Sequence, residues 1–101
     1  MSQFDYHQLD DVIHSRIRLA AMSILASVER AEFTYLRDRT GSTDGNLGAH
    51  MKKLEDAGYV TADKRFVDRK PVTRYALTDA GREAFRRYVD RLEAMLAGEE
   101  E

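Results

Sequence analysis

The sequence predicts an α+β fold, mainly helical, with one β-hairpin in its second half. Three observations carry that reading. Apolar residues keep a 3.6-residue spacing over three separate stretches. A run rich in Tyr, Val, Thr and Phe, residues 59–77, is split by VDRKP and has the marks of two strands and a turn. Side chains able to cap a helix, Thr34, Thr43 and Thr78, stand just before the helical patterns.

The first helix is expected over residues 9–28, where Leu9, Val12, Ile13, Ile17, Ala20, Ala21, Ile24, Leu25 and Val28 recur at helical spacing. Leu19 and Met22 fall outside that stripe, so the helix holds more apolar surface than one contact needs. Glu32-Phe33 is a short extended link. Thr34 is expected to cap a brief helix through Arg39, with Leu36 inward and Gly41 in the left-handed position that ends it. Thr43 then caps a helix that runs to Ala57 and stops at Gly58, with Asp44 set against the positive end of its dipole. After the hairpin, where Pro71 suits a strand start, Thr78 caps a last helix over residues 79–96. Phe85, Tyr88, Leu92 and Met95 repeat there in steps of three and four, a seam for another helix. One domain, residues 1–101, accounts for the chain.

Composition narrows the function. The 101 residues, 43% hydrophobic, suit one modest core, and burying apolar surface in a second chain would add to its stability. Cysteine is absent, which excludes disulfides, thiolate metal sites and a cysteine nucleophile. The acidic, polar start MSQFDYHQLDD is unlike a signal peptide, and no apolar run reaches membrane-spanning length, so a cytoplasmic protein without a membrane partner is expected. No catalytic group is expected: Ser15, Ser23, Ser27 and Ser42 have no His–Asp arrangement beside them. No cofactor is expected either, because Gly45 and Gly48 follow no strand and form no phosphate loop. His7, His14 and His50 fall on different elements, so no metal site is assigned; His14 with Asp10 or Asp11 across a dimer is the one alternative.

The formal charge of -2 speaks against a polyanionic partner, but its distribution does not. Between Arg37 and Arg74 there are nine basic residues and six acidic ones, while acidic groups gather at Asp5, Asp10, Asp11 and the Glu99–Glu101 tail. Screening limits charges to about 10 Å of influence, so one basic face acts independently of the total.

A short helix, a turn holding Gly41 and a second helix make a helix-turn-helix over residues 34–58. The second helix is bare on one side. Opposite Leu47, Met51 and Leu54 it carries Gly45, Asn46, Ala49, Lys52, Lys53 and Asp56, and each glycine inside a helix costs about 1 kcal/mol relative to alanine. Small side chains let a helix approach base edges closely; Asn46 suits adenine, and Lys52 and Lys53 suit guanine or phosphate.

Here the chain resembles the winged helix-turn-helix transcriptional regulators of the MarR and ArsR kind, in their compact group. The stretches that carry the resemblance are "RLAAMSILA", "FTYLRDRTGSTDGNLGAHMKKLEDAGYV" and "RKPVTRYALTDAGREAF", with LxxHxxKLExxGYV followed by a hairpin and LTxxGR. The resemblance implies a homodimer built on the first and last helices. It also implies binding to double-stranded DNA through the recognition helix in the major groove and the hairpin, or wing, near the minor groove or backbone. Carried onto this sequence, the DNA-binding residues are Thr43, Gly45, Asn46, Ala49, His50, Lys52 and Lys53 on the helix. Arg65, Arg69, Lys70 and Arg74 join them from the wing. The dimer residues are Ile13, Ile17, Phe85, Tyr88, Leu92 and Met95. An aspartate in such wings often braces a DNA-contacting arginine; Asp68 and Arg69 are adjacent, so Asp68 reads as a turn residue. The family also admits a small-molecule effector between core and dimer helices, though no polar cluster identifies one. The alternative function is a winged helix that binds another protein and not DNA.

Overall fold

The first helix begins later than its apolar spacing predicts, and Asp10 is the reason. In the computed structural model, which describes residues 8–98, the chain turns irregularly between Asp10 and Ser15 before α1 (Arg16–Ser27). The Asp10 carboxylate accepts the backbone N–H groups of Val12 (2.8 Å) and Ile13 (3.4 Å). That local bonding competes with helical pairing, and Ser15 follows in extended conformation at the N-cap of α1. The break resets the helical phase. Met22, placed outside the buried stripe by its spacing, is fully buried, whereas Ile17, Ala20 and Ile24 are half-buried. Leu9 and Ile13 still reach the core, but from the turn.

The short strand β1 (Ala31–Glu32) pairs with the hairpin, Ala31 opposite Tyr75 and Glu32 opposite Arg74. That pairing keeps the backbone extended through Glu32, so α2 (Phe33–Thr40) starts at the next residue and Glu32, not Thr34, is its N-cap. Gly41, at φ 68°, closes α2 as expected. Thr43 caps α3 (Asp44–Asp56) by accepting the Asn46 N–H at 3.1 Å. Arg37 spans the turn between the two helices, with Nη1 3.0 Å from Asp44 and Nε 3.0 Å from Asp38. These carboxylates raise the Arg37 pKa further, Asp44 foremost.

Strands β2 (Val60–Val67) and β3 (Lys70–Leu77) complete a sheet of order β1-β3-β2. The expected five-residue link VDRKP shrinks to Asp68 and Arg69, at φ 51° and 69°. Positive φ at both positions matches the right-handed twist of the strands it joins. In such a hairpin the closing pair, Val67 and Lys70, exchanges hydrogen bonds and the next pair, Phe66 and Pro71, does not. Pro71 therefore lacks its N–H on the side facing away from β2. Since β1 pairs only with Arg74 and Tyr75, no ladder bond is lost there.

Thr78 anchors α4 (Asp79–Ala97) twice over. Its hydroxyl accepts the Gly81 N–H (2.9 Å) and donates to the Gly58 carbonyl (2.6 Å). A Cβ at Gly81 would lie 2.0 Å from the Tyr59 carbonyl oxygen, so only glycine fits this crossing. The LTxxG and GY segments thus meet at one joint, which fixes the root of the wing against α4. Ile13, Met22, Leu25, Leu36, Leu47, Met51 and Leu54 are the largest fully buried side chains among the described residues, and they pack α1, α2 and α3 onto the sheet. Asp5, His7 and the Glu99–Glu101 tail lie outside the described residues.

Candidate nucleic-acid interface

Helix α3 buries Leu47, Met51 and Leu54 and leaves Gly45, Asn46, Ala49, Lys52, Lys53 and Asp56 exposed, as its pattern predicts. A Cβ at Gly45 or Gly48 would meet nothing within 4 Å, and neither glycine has positive φ. Packing and backbone geometry therefore give no internal reason for these glycines. Thr43 is also exposed, but its side chain serves as the cap. With the Asn46 N–H and the Asp44 carboxylate both at this end, the helix N-terminus is already partly satisfied. Lys52 pairs with Asp56 at 3.1 Å, which raises its pKa, while Lys53 makes no ion pair among the described residues.

His50 is not on that outer face. Its Nδ1 lies 2.7 Å from Nη1 of Arg18, a buried side chain that also donates to the carbonyls of Val12 and Asp11. Arginine only donates, so Nδ1 must accept and the imidazole proton sits on Nε2. Burial, followed by the charges of Arg18 and Lys53, lowers the His50 pKa from 6.5. The residue assigned to DNA thus joins α3 to α1 and, through Arg18, to the N-terminal turn.

The wing separates its residues by strand alternation. Asp63, Arg65, Val67, Lys70, Val72 and Arg74 share one face, and Lys64, Phe66, Pro71 and Thr73 share the other. Arg65 is held by Asp63, 2.6 Å away and two residues back on the same strand. Asp63, and not Asp68, thus pairs with a wing arginine, while Asp68 occupies the turn. Arg74 stands between Glu32 (3.9 Å) and the register partner Asp63, half-buried in a cross-strand row of charges. Opposite charges across strands contribute about 0.2–1 kcal/mol, so Arg74 supports the sheet. Arg69 and Lys70 remain at the tip, exposed and without an ion pair among the described residues. Sequence reasoning missed Tyr35 and Arg39 on the exposed face of α2, where the Arg39 guanidinium lies 5.5 Å from the ring centre. Their i, i+4 spacing was the available signal.

Of the residues assigned to a second chain, Ile13 (0% exposed) and Tyr88 (3%) belong to the protomer's own core. Tyr88 hydroxyl and His14 Nδ1 are 2.7 Å apart. Ile17, Phe85, Leu92 and Met95 are half-buried, and α4 also carries Val89 and an exposed Leu96 on the Phe85 and Leu92 side. Asp10 accepts from Tyr59, whose pKa is pushed up to about 12 by burial and by this carboxylate. His14 and Asp10 are thus each engaged with a tyrosine, and no group of three or more potential metal ligands occurs among the described residues.

This geometry, a helix-turn-helix followed by a hairpin locked to a final helix, is that of a winged helix. The chain belongs to the winged helix DNA-binding domain family, whose pattern matches residues 17–96. It is 36% identical over 78 residues to the uncharacterised protein MJ0432 of Methanocaldococcus jannaschii, covering 77% of this chain and 85% of that one. A transcriptional regulator homologue from Pyrococcus horikoshii OT3 superposes with a TM-score of 0.81 at 30% identity, over 95% of this chain and 91% of that chain. AbsC, a MarR family transcriptional regulator from Streptomyces coelicolor, shares the fold at a TM-score of 0.67 and 19% identity, over 91% and 66% of the two chains. Family and fold point to a DNA-binding transcriptional regulator. No helix among the described residues is long and apolar enough to cross a membrane.

Proposed function

We propose that the chain is a sequence-specific regulator that binds double-stranded DNA as a homodimer, with α3 in the major groove and the wing beside the adjacent minor groove. The observation that carries this reading is the outer face of α3. Gly45 and Gly48 weaken the helix by up to about 1 kcal/mol each, yet open space surrounds both. Close approach of a duplex supplies the missing reason. Asn46 is placed for a base edge, and Lys53, Arg69 and Lys70 for phosphates. Arg39 on α2 is placed for the backbone that the first helix of such a pair crosses. The dimer would form on the Phe85, Val89, Leu92 and Leu96 stripe of α4 with Ile17 of α1. Two recognition helices about 34 Å apart then select an inverted repeat with half-site centres one helical turn apart. A cytoplasmic location fits this role.

The test is a shift assay with random-sequence duplex at two salt concentrations. Affinity should fall steeply as salt rises, because phosphate neutralisation releases counterions. Flat salt dependence, or no binding at either salt, would favour the winged helix as a protein-binding module.

A further inference from the structure

We infer that Phe66, seated beside Pro71 at the wing tip, is an apolar wedge that enters the minor groove of the bound duplex and bends it; the inference rests on the DNA-binding reading above. Phe66 is 76% exposed, a large aromatic surface that serves no packing in the protomer. It stands directly opposite Pro71 in the strand register, and cross-strand neighbours hold their Cβ atoms about 4.5–5.5 Å apart. The two form one apolar point on a stiff stem, because β2 and β3 pair through all eight positions and turn in two residues.

The direction of that point follows from the pleat. Phe66 shares its face with Val60 and Ala62, and Pro71 shares its face with Tyr75. Val60 and Tyr75 are buried against the helices, so the wedge projects on the side of the sheet where α3 lies. Six residues of strand carry Phe66 roughly 20 Å beyond Val60. A minor groove is centred about half a helical turn, roughly 17 Å, from a major groove occupied by a helix.

Charge around the tip selects the occupant. Lys64 shares the face of Phe66, Arg69 sits in the adjoining turn, and Arg65 and Lys70 line the reverse face, partly offset by Asp63 and Asp68. A protein-binding patch is depleted of charge at its centre. An exposed aromatic at the tip of a hairpin that carries cations on both of its faces matches a groove whose two walls are phosphate and whose floor is base edges. Apolar side chains inserted there unstack a base step and kink the duplex, most easily at flexible TA or CA steps. The wedge would therefore add a preference for such steps flanking the sequence contacted by α3.

The probe is a duplex drawn from the sequences wild-type protein selects, labelled at both ends for energy transfer, with 2-aminopurine at the flanking step. Wild type should shorten the end-to-end distance and raise the 2-aminopurine emission. Phe66→Ala should abolish both signals and weaken binding about tenfold, with the salt slope unchanged because no charge is lost. Phe66→Leu should keep the bend. Equal bending and binding by wild type and Phe66→Ala would overturn the wedge while leaving DNA binding intact. A wild-type complex that is straight would overturn it as well. Failure of wild type to bind any duplex would instead remove the functional reading and the wedge with it.

Discussion

His50 accepts a hydrogen bond from Arg18 across 2.7 Å, and that bond ties the recognition helix to the helix and turn that precede it. Arg18 gathers two backbone carbonyls of the N-terminal turn with its other nitrogens, so one buried guanidinium links three segments.

A pH dependence follows from this pair. The unfolded chain protonates His50 near its ordinary pKa of 6.5, whereas burial and two neighbouring cations lower it in the fold. Between those two values the unfolded state binds more protons, so stability falls as pH drops through 6.5 and is flat above it. Denaturant midpoints between about pH 7 and pH 5 should decline for wild type. His50→Gln keeps an acceptor for Arg18 without titrating and should decline less; equal slopes would contradict the assignment.

At the joint of the wing and α4, Gly81→Ala drives a methyl group into the Tyr59 carbonyl. Urea denaturation should show a loss of about 1–3 kcal/mol or more. Thr78→Ala removes the cap and its bond to Gly58, for a loss of about 1 kcal/mol.

The glycines of α3 should respond in the opposite sense. Gly48→Ala has open space and helical backbone, so it should stabilise the protein by up to about 1 kcal/mol. Gly45→Leu should leave folding intact while sharply lowering duplex affinity. A Gly45→Leu protein that binds DNA like wild type would mean the bare face has another purpose.

Sedimentation tests the second-chain surface. Phe85→Glu and Leu92→Glu place a charge on the outward stripe of α4 and should give monomer or insoluble protein. Soluble dimers of both variants would exclude that stripe. Tyr88→Glu, by contrast, should unfold the protomer, because Tyr88 is buried within it.

Much of this architecture is legible in the sequence because its signals are local. Thr43 and Thr78 cap the helices they precede, Gly41 and Gly58 take positive φ at helix ends, and α3 shows its two faces by spacing alone. The N-terminal break was missed because the apolar spacing runs through it unbroken; only Asp10 and Ser15, both competitors for backbone bonds, mark it. Tertiary partners were less visible. Arg18 and His50 are 32 residues apart, and no pattern along the chain joins them. Asp63 and Arg65 could have been paired, since residues two apart on a strand share a face. His50 and Arg74, carried onto DNA by the resemblance, also enter the fold's own hydrogen-bond and ion networks, which sequence spacing does not reveal.

The most direct test of the account is site selection from random duplex by wild type, Asn46→Ala and Arg69→Ala. Asn46 lies exposed in the first turn of α3, where an amide can pair with a base edge. Its loss should cost about 1–3 kcal/mol on the preferred site and relax choice at one position of each half-site. Arg69 lies in the two-residue turn of the wing, and its loss should weaken all sequences alike and lower the salt slope by about one. If Arg69→Ala changes the selected sequence while Asn46→Ala leaves it intact, base reading does not reside on α3.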